Sequence, residues 1–292
     1  MSANLTIDEL NTLLKSKMDG RNNRPLDAFC GLSPTQMSKW LYTPFGDTAG
    51  MSMTIPADLS KSPVMRYLNV IIEAIINSKG SLKATAKGNL PAKIAKVATA
   101  LLPEFATAQF NEDISISEFA GNNEDHFTAL HYTRLLAEIA KIIQLKRGYF
   151  VLGAHAKRTY EKEGISGLYF VMLETAVTHY NWAYLDGWQE DISLQQFWRF
   201  MLWRLSCHSD ISRLTQEMSI AFHDLIHQIE PSPYCNQQDT LGRMIETRFV
   251  SRFLEYFGMV VVNPLRMTPE GKPITPKATL QPLLKQTFSF TV

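Results

Sequence analysis

Three times along this chain an apolar stretch with helical spacing runs into a glycine, a short apolar strand and a polar turn. The copies are GSLKATAKGNLP at 80–91, GYFVLGAHAKRT at 148–159 and GMVVVNPLRMTPEGKPIT at 258–275. Glycine ends a helix because it accepts the left-handed backbone of a helix exit. Helix, strand and turn in this order are the wing end of a winged helix-turn-helix unit. Thr85, Gly153 and Thr268 hold equivalent positions in copies whose spacing is uneven, so the motif is reused and not stacked as a regular solenoid. The pattern predicts a mainly α protein with short β wings, two or three winged-helix-like units packed together.

Local signals divide the chain. Thr6 with Glu9, and Ser33 with Pro34 and Gln36, are capping boxes that start two helices within an N-terminal helical arm and linker, 1–60. Proline, glycine, serine and aspartate gather at 43–63, which reads as a loop. Leu68, Ile71, Ile72, Ile75 and Ile76 then follow helical spacing up to Gly80, opening a first winged-helix-like unit over 61–125. A second, degenerate unit is expected over 126–190, with a helix from 127 to 145 stopped by Gly148. The third and most complete unit, 191–292, has helices at 194–206, 212–229 and 240–257 and wing strands at 259–268. Between 165 and 205 the chain is dense in aromatics, which at helical spacing read as core, although a base-stacking platform is the sharper alternative.

The segments FCGLSPTQMSKWLYTPF (29–45) and LKATAKGNLPAKI (82–94) together resemble a pair of motifs, GLSPxQMxxLLYxPF and LKLTxKGNLPxK, of bacterial proteins of the plasmid-borne "open reading frame three" type. The resemblance covers the first third well and the rest loosely. It implies an organisation and no activity, because these relatives carry none that is assigned. Some have a cysteine-rich zinc tail that this chain lacks, and in the second copy Gly153 and Ala156 stand where the threonine and glycine of the T-x-x-G turn belong.

Composition narrows the function classes. Lysine and arginine total 29 against 28 acids, so no bulk charge draws the chain to nucleic acid or membrane and any such role needs a local patch. The three cysteines, Cys30, Cys207 and Cys235, form no C-x-x-C pair, which fits a reducing cytoplasm and neither a disulfide framework nor a zinc site. MSANLTIDEL has no signal-peptide character, and no window approaches the ~20 apolar residues of a membrane span. The expectation is a cytoplasmic protein away from membranes.

Candidate chemistry is sparse. From Ala74 to Pro103 the only charged residues are Lys79, Lys83, Lys87, Lys93 and Lys96, a ridge able to meet phosphates or simply to solvate a surface neutralised by the acidic stretch 103–125. Gln237, Gln238 and Arg243 open the last long helix, and amide and guanidinium groups are those that read base edges; the same helix is apolar enough to be an ordinary packed one. His223 and His227 stand four apart, a spacing suited to one metal, but no H-E-x-x-H accompanies them and a packing or surface pair is the plainer reading. No nucleophile elbow or phosphate-binding glycine loop is present. The sequence therefore points to a non-catalytic macromolecular recognition protein without cofactor, possible partners being nucleic acid or protein. Lys83, Lys87, Lys93, Lys96, Gln237, Gln238 and Arg243 are the candidate nucleic-acid contacts. A protein-interaction scaffold or homo-oligomer is the alternative, and a metal-dependent enzyme at His223 and His227 the last.

Overall fold

The computed structural model describes residues 6–46, 50–101, 123–184, 186–188, 192–263, 267–272, 274–275 and 277–292. The described chain is mainly helical with small antiparallel sheets. Both predicted capping boxes form. Glu9 N–H donates to Thr6 Oγ1 at 3.2 Å and Thr6 N–H to Glu9 Oε2 at 2.8 Å, starting α1 (Ile7–Asn22). Ser33 and Gln36 exchange the same bonds at the start of α2 (Pro34–Tyr42), which buries Met37 and Trp40. The stretch read as a loop at 43–63 contains β1 (Met51–Met53), which pairs antiparallel with the last strand, Phe288–Phe290. Residues after α1 are thus strapped to the C-terminal end, with Trp40 edge-on to Trp203 at 5.3 Å. The buried Arg199 guanidinium donates to the carbonyls of Trp40, Thr43 and Pro44, supplying donors to the exposed end of α2 where the helix lacks them.

The next six elements form one arrangement: α3 (Pro63–Asn77), β2 (Leu82–Lys83), α4 (Ala92–Thr99), α5 (Thr128–Ile139), β3 (Ile143–Lys146) and β4 (Tyr149–Leu152), with sheet order β2-β4-β3. The strands of the first and second sequence copies therefore share a sheet, so the division expected at 125/126 runs through it. Helix α5 also ends well before the expected 145. Lys141, at φ 57, takes the left-handed exit, Ile142 N–H bonds back to Ala137 O, and the chain is extended from Ile143. Gly148 is instead in the tight β3–β4 hairpin, following Arg147 at φ 51 with its own φ of 80. The T-x-x-G turn fails in this copy for a steric reason: a Cβ on Gly153 would lie 2.3 Å from Lys141 O, so glycine closes the hairpin here and the chain enters α6 (Ala154–Glu163) directly.

After α7 (Tyr169–Glu174), continued by π-helical turns over Thr175–His179, the same order of elements returns. It consists of α8 (Trp198–His208), a β-bridge at Asp210, α9 (Ile211–Ala221), the short α10 (Asp224–His227), α11 (Gln237–Met244), β5 (Val260–Val262) and β6 (Ala278–Leu280). Asp210 bridges Lys277 and β6 pairs β5, so the order Asp210-β6-β5 repeats β2-β4-β3. Helix α11 continues as a π-helix over Ile245–Glu255, so the helix expected at 240–257 begins earlier and widens midway. The helix expected at 212–229 breaks at Phe222, whose φ of −135 and ψ of 58 lie outside the helical region. Helix α12 (Pro282–Thr287) and β7 (Phe288–Phe290) close the chain.

Helix exits and turns repeat at the level of single hydrogen bonds. Gly80 N–H reaches Ile75 O, Ile142 N–H reaches Ala137 O and Met259 N–H reaches Leu254 O, the same six-residue closure at three helix ends. Thr85–Asn89 and Thr268–Lys272 are one turn made twice: the threonine N–H donates to the carbonyl four residues on, and that residue's N–H donates back to the threonine Oγ1. The two arrangements meet through buried rings. Tyr132 of α5 packs on Tyr180 and Tyr256 at 4.8 and 5.3 Å, Trp182 lies on Phe249 and Phe253, and Val64 N–H donates to Tyr256 O. Most of the aromatic belt at 165–205 is core: Tyr169, Trp182, Trp198 and Phe200 are buried, with Trp182 Nε1–H donating to Ala176 O and Tyr169 Oη bonded to Thr287 Oγ1, while Tyr184 is exposed.

Candidate nucleic-acid interface

Period-two alternation decides which side chains of the small sheet face outward. Lys83, Tyr149 and Lys146 stand directly opposite one another on β2, β4 and β3, so the three share one face in a cross-strand row. All three are exposed, while in the neighbouring row Phe150 is buried beneath the sheet. Arg147 extends the row at the hairpin tip, also exposed.

Beside this row lies the Thr85–Asn89 turn, fixed from below. The buried Glu124 carboxylate accepts from Leu90 N–H, His131 and Arg134 Nε, so the end of the turn is tied to α5. Asp125 bonds to Asn89 and to Lys87 Nζ at 3.3 Å, and the Lys87 hydrogen bond holds its carboxyl below the ordinary range. On α4, Ile94, Ala95 and Ala98 face the core and leave Lys93 and Lys96 exposed, as their spacing predicts. Lys93 lines a groove with Glu73, Asn77 and Leu82 of β2, and Leu82 pairs with Phe150, so this groove borders the sheet on the side away from the Lys83 row.

Lys83, Lys87, Lys93 and Lys96 thus belong to the first arrangement, whereas Gln237, Gln238 and Arg243 open α11 in the second. Gln237 is committed to structure, its Nε2 donating to Ile226 O and Ile229 O at 3.1 and 2.6 Å. Gln238 and Arg243 are exposed. Further along, Arg248 is buried against the Asp186 carboxylate and Ile192 O, and Arg252 donates to Tyr184 O. Of the arginines on this helix and its π-helical continuation, Arg248 is turned inward and Arg252 is half-buried.

Helix α5 is equally enclosed. Seven of its twelve residues, Ala129, Leu130, Tyr132, Thr133, Arg134, Leu136 and Ala137, are buried, and burial pushes the Tyr132 phenol well above its ordinary value. Of its described residues only Thr128 and Ile139, at the two ends, are exposed.

His223 and His227 are exposed at the two ends of the short α10 turn, with ring centroids 6.0 Å apart and perpendicular, and His223 Nε2 lies 3.1 Å from Asp224 Oδ1. Among the described residues no group of three or more histidines, cysteines, aspartates or glutamates comes together as a metal site. Among them, too, no helix is long and apolar enough to cross a membrane. Of the acidic stretch, Glu104, Glu112, Asp113 and Glu118 lie outside the described residues, leaving Glu124 and Asp125, both engaged with the turn.

Lys146, Arg147 and Tyr149 are the residues that sequence reading missed. The signal was present: from Ile139 to Tyr160 there are five cations, Lys141, Lys146, Arg147, Lys157 and Arg158, and no acid. What hid it was the expectation of a helix through 145, which leaves no β3 to set Lys146 opposite Tyr149. Comparison of the chain with protein-family models, with curated proteins and with solved structures found no match.

Proposed function

We propose that the protein binds the sugar-phosphate backbone of nucleic acid through the outer face of β2, β4 and β3, in the first of two winged-helix-like units spanning 63–152 and 198–280. One observation carries the reading: the β2–β4–β3 pairing brings cations from two acid-free stretches far apart in the chain, each with five cations, into one exposed row, Lys83–Tyr149–Lys146, with Arg147 at the adjoining hairpin tip. Among the described residues these ten cations make two ion pairs, Lys87–Asp125 and Lys157–Glu161, both exposed and hence weak. Lysine and arginine on a wing meet phosphates, which fix orientation without reading sequence. Tyr149 offers a ring on which a base of a single strand can stack. Because most of α5 is buried, this reading does not place α5 in a major groove; binding through the row is backbone-directed and tolerant of sequence.

Fluorescence anisotropy with labelled single-stranded DNA, duplex DNA and RNA across salt concentrations tests this. Counting Lys83, Lys87, Lys146 and Arg147 as four phosphate contacts, the logarithm of affinity for duplex falls with the logarithm of salt at a slope of about −3.6, a loss of about 150-fold between 50 and 200 mM. Replacing Lys83, Lys146 and Arg147 together by alanine leaves a slope near about −0.9 and a loss of about 3.5-fold. Absence of binding at low salt, or a slope that the triple variant leaves unchanged, refutes the proposal.

A further inference from the structure

Helix α1 has no buried residue over its sixteen positions. A lone helix of this length is marginal in water, and most helical stability in proteins comes from packing an apolar face. Yet α1 carries such a face: Ile7, Leu10, Leu14 and Met18 repeat at helical spacing and Leu13 flanks them, with exposures of 78% for Ile7, 45% for Leu10 and 61% for Met18. Scattered surface leucines need no explanation, but a continuous stripe on a helix that buries none of its residues, and is tied to α2 at its end by Thr35 Oγ1 donating to Asn22 O at 3.0 Å, does.

Its charges say what fits it. Asp8, Glu9 and Asp19 balance Lys15, Lys17 and Arg21, so α1 is neutral and has no reason to seek an anionic lipid surface or nucleic acid. The charges are also sorted along the axis, the two acids of the first turn at one end and the cations toward the other. Lys17 and Arg21 follow Leu10 and Leu14 along the stripe at the basic end. A parallel copy would set lysine against lysine and arginine against arginine, whereas an antiparallel copy sets the basic end beside the acidic one and also opposes the helix dipoles favourably. Such a surface is complementary to itself, the requirement of a two-fold interface.

We infer that α1 pairs antiparallel with α1 of a second copy of this chain, making the protein a reversible homodimer. The contact is a single pair of helices about 24 Å long, at the small end of specific interfaces, so dimer and monomer exchange with concentration. The pairing holds two basic sheets in one assembly, which multiplies affinity for any long polyanion through effective concentration.

Sedimentation equilibrium of the full chain over a concentration series is the test, with Leu10→Asp/Leu14→Asp and, on the opposite side of the helix, Ser16→Asp as control. The expected result is a wild-type dimer whose dissociation constant rises by about a hundredfold or more in the double variant and stays put in the control. Because no α1 residue is buried, the thermal midpoint of the body stays unchanged in both. Carbodiimide cross-linking of mixed isotope-labelled and unlabelled chains is expected to join Asp8 or Glu9 of one copy to Lys15 or Lys17 of the other. A wild-type chain that is monomeric at about 100 μM, whether or not it binds anionic vesicles, overturns the inference. So does a dimer that survives the double variant, or inter-copy cross-links confined to Asp19 with Lys15 or Lys17.

Discussion

Gly258 lies against the backbone that leads into α3, and its replacement by alanine separates the cost of a backbone shape from the cost of a close contact. The residue sits at φ 74, and a Cβ built on it would lie 2.2 Å from Lys61 O, 3.0 Å from Lys61 C and 3.1 Å from Ser62 Cα. All three are backbone atoms at the entry to α3, so nothing flexible can move aside. The left-handed conformation costs an L-residue about 1–2 kcal/mol, and forcing extra volume into a filled contact costs about 1–3 kcal/mol more. Gly80 supplies the control, because it has φ 85 just after the comparable helix exit and nothing within 4 Å of its Cβ position. Gly80→Ala is therefore expected to lose about 1–2 kcal/mol and Gly258→Ala about 2–5 kcal/mol. Any gain from a stiffer unfolded chain is common to both and cancels in the difference. At about 2 °C per kcal/mol for a chain of this size, calorimetry should show midpoints lowered by about 2–4 °C and about 4–10 °C respectively. Equal shifts in the two variants would refute the claim that the end of the long second-unit helix is wedged against α3.

The Glu217 carboxylate accepts from Arg204, Arg213 and His208; burial alone would raise its pKa, but the hydrogen bonds from Arg204 and His208 outweigh burial and hold it at about 2 instead of 4.5. A depressed carboxyl stabilises the fold above its unfolded value and loses that contribution as pH falls from 4.5 toward 2, so urea midpoints should drop over this window and drop less in Glu217→Gln; identical acid sensitivity in the two proteins counts against the assignment. Asp186 and Arg248 are each 1% exposed and paired, so Asp186→Asn is expected to cost about 3–5 kcal/mol by leaving the guanidinium buried without its anion, with the double change to Asp186→Leu/Arg248→Met recovering most of it in chemical denaturation. A loss below about 1 kcal/mol in the single variant would show that the pair is not a buried one.

Much of the local structure was legible in the residues. Capping boxes at Thr6 and Ser33 were readable because they depend on side chains three apart and on nothing distant. The T-x-x-G turn was recognisable at Thr85 and Thr268 for the same reason. Failures came where distant backbone decides. Residues 143–146 continue an apolar periodicity that reads as helix, but a left-handed Lys141 and pairing with β4 make them a strand. Of the candidate site, the exposure of Lys83, Lys87, Lys93 and Lys96 was foreseeable from their spacing. The demotion of Gln237 to a brace for α10 was not, since its two carbonyl partners are presented only by the fold.

By itself the sequence determined where the two capped helices start, at Thr6 and Ser33, and which faces of the helices are apolar, since these rest on caps and periodicity within a few residues of one another. Only the tertiary structure decided that the strands from the first two copies share a sheet, that β1 is sewn to β7 at the other end of the chain, and that Lys83 and Lys146 flank Tyr149. Pairing between strands is chosen by which arrangement buries Tyr132, Phe150 and their core neighbours, a condition on the whole molecule that no single segment contains.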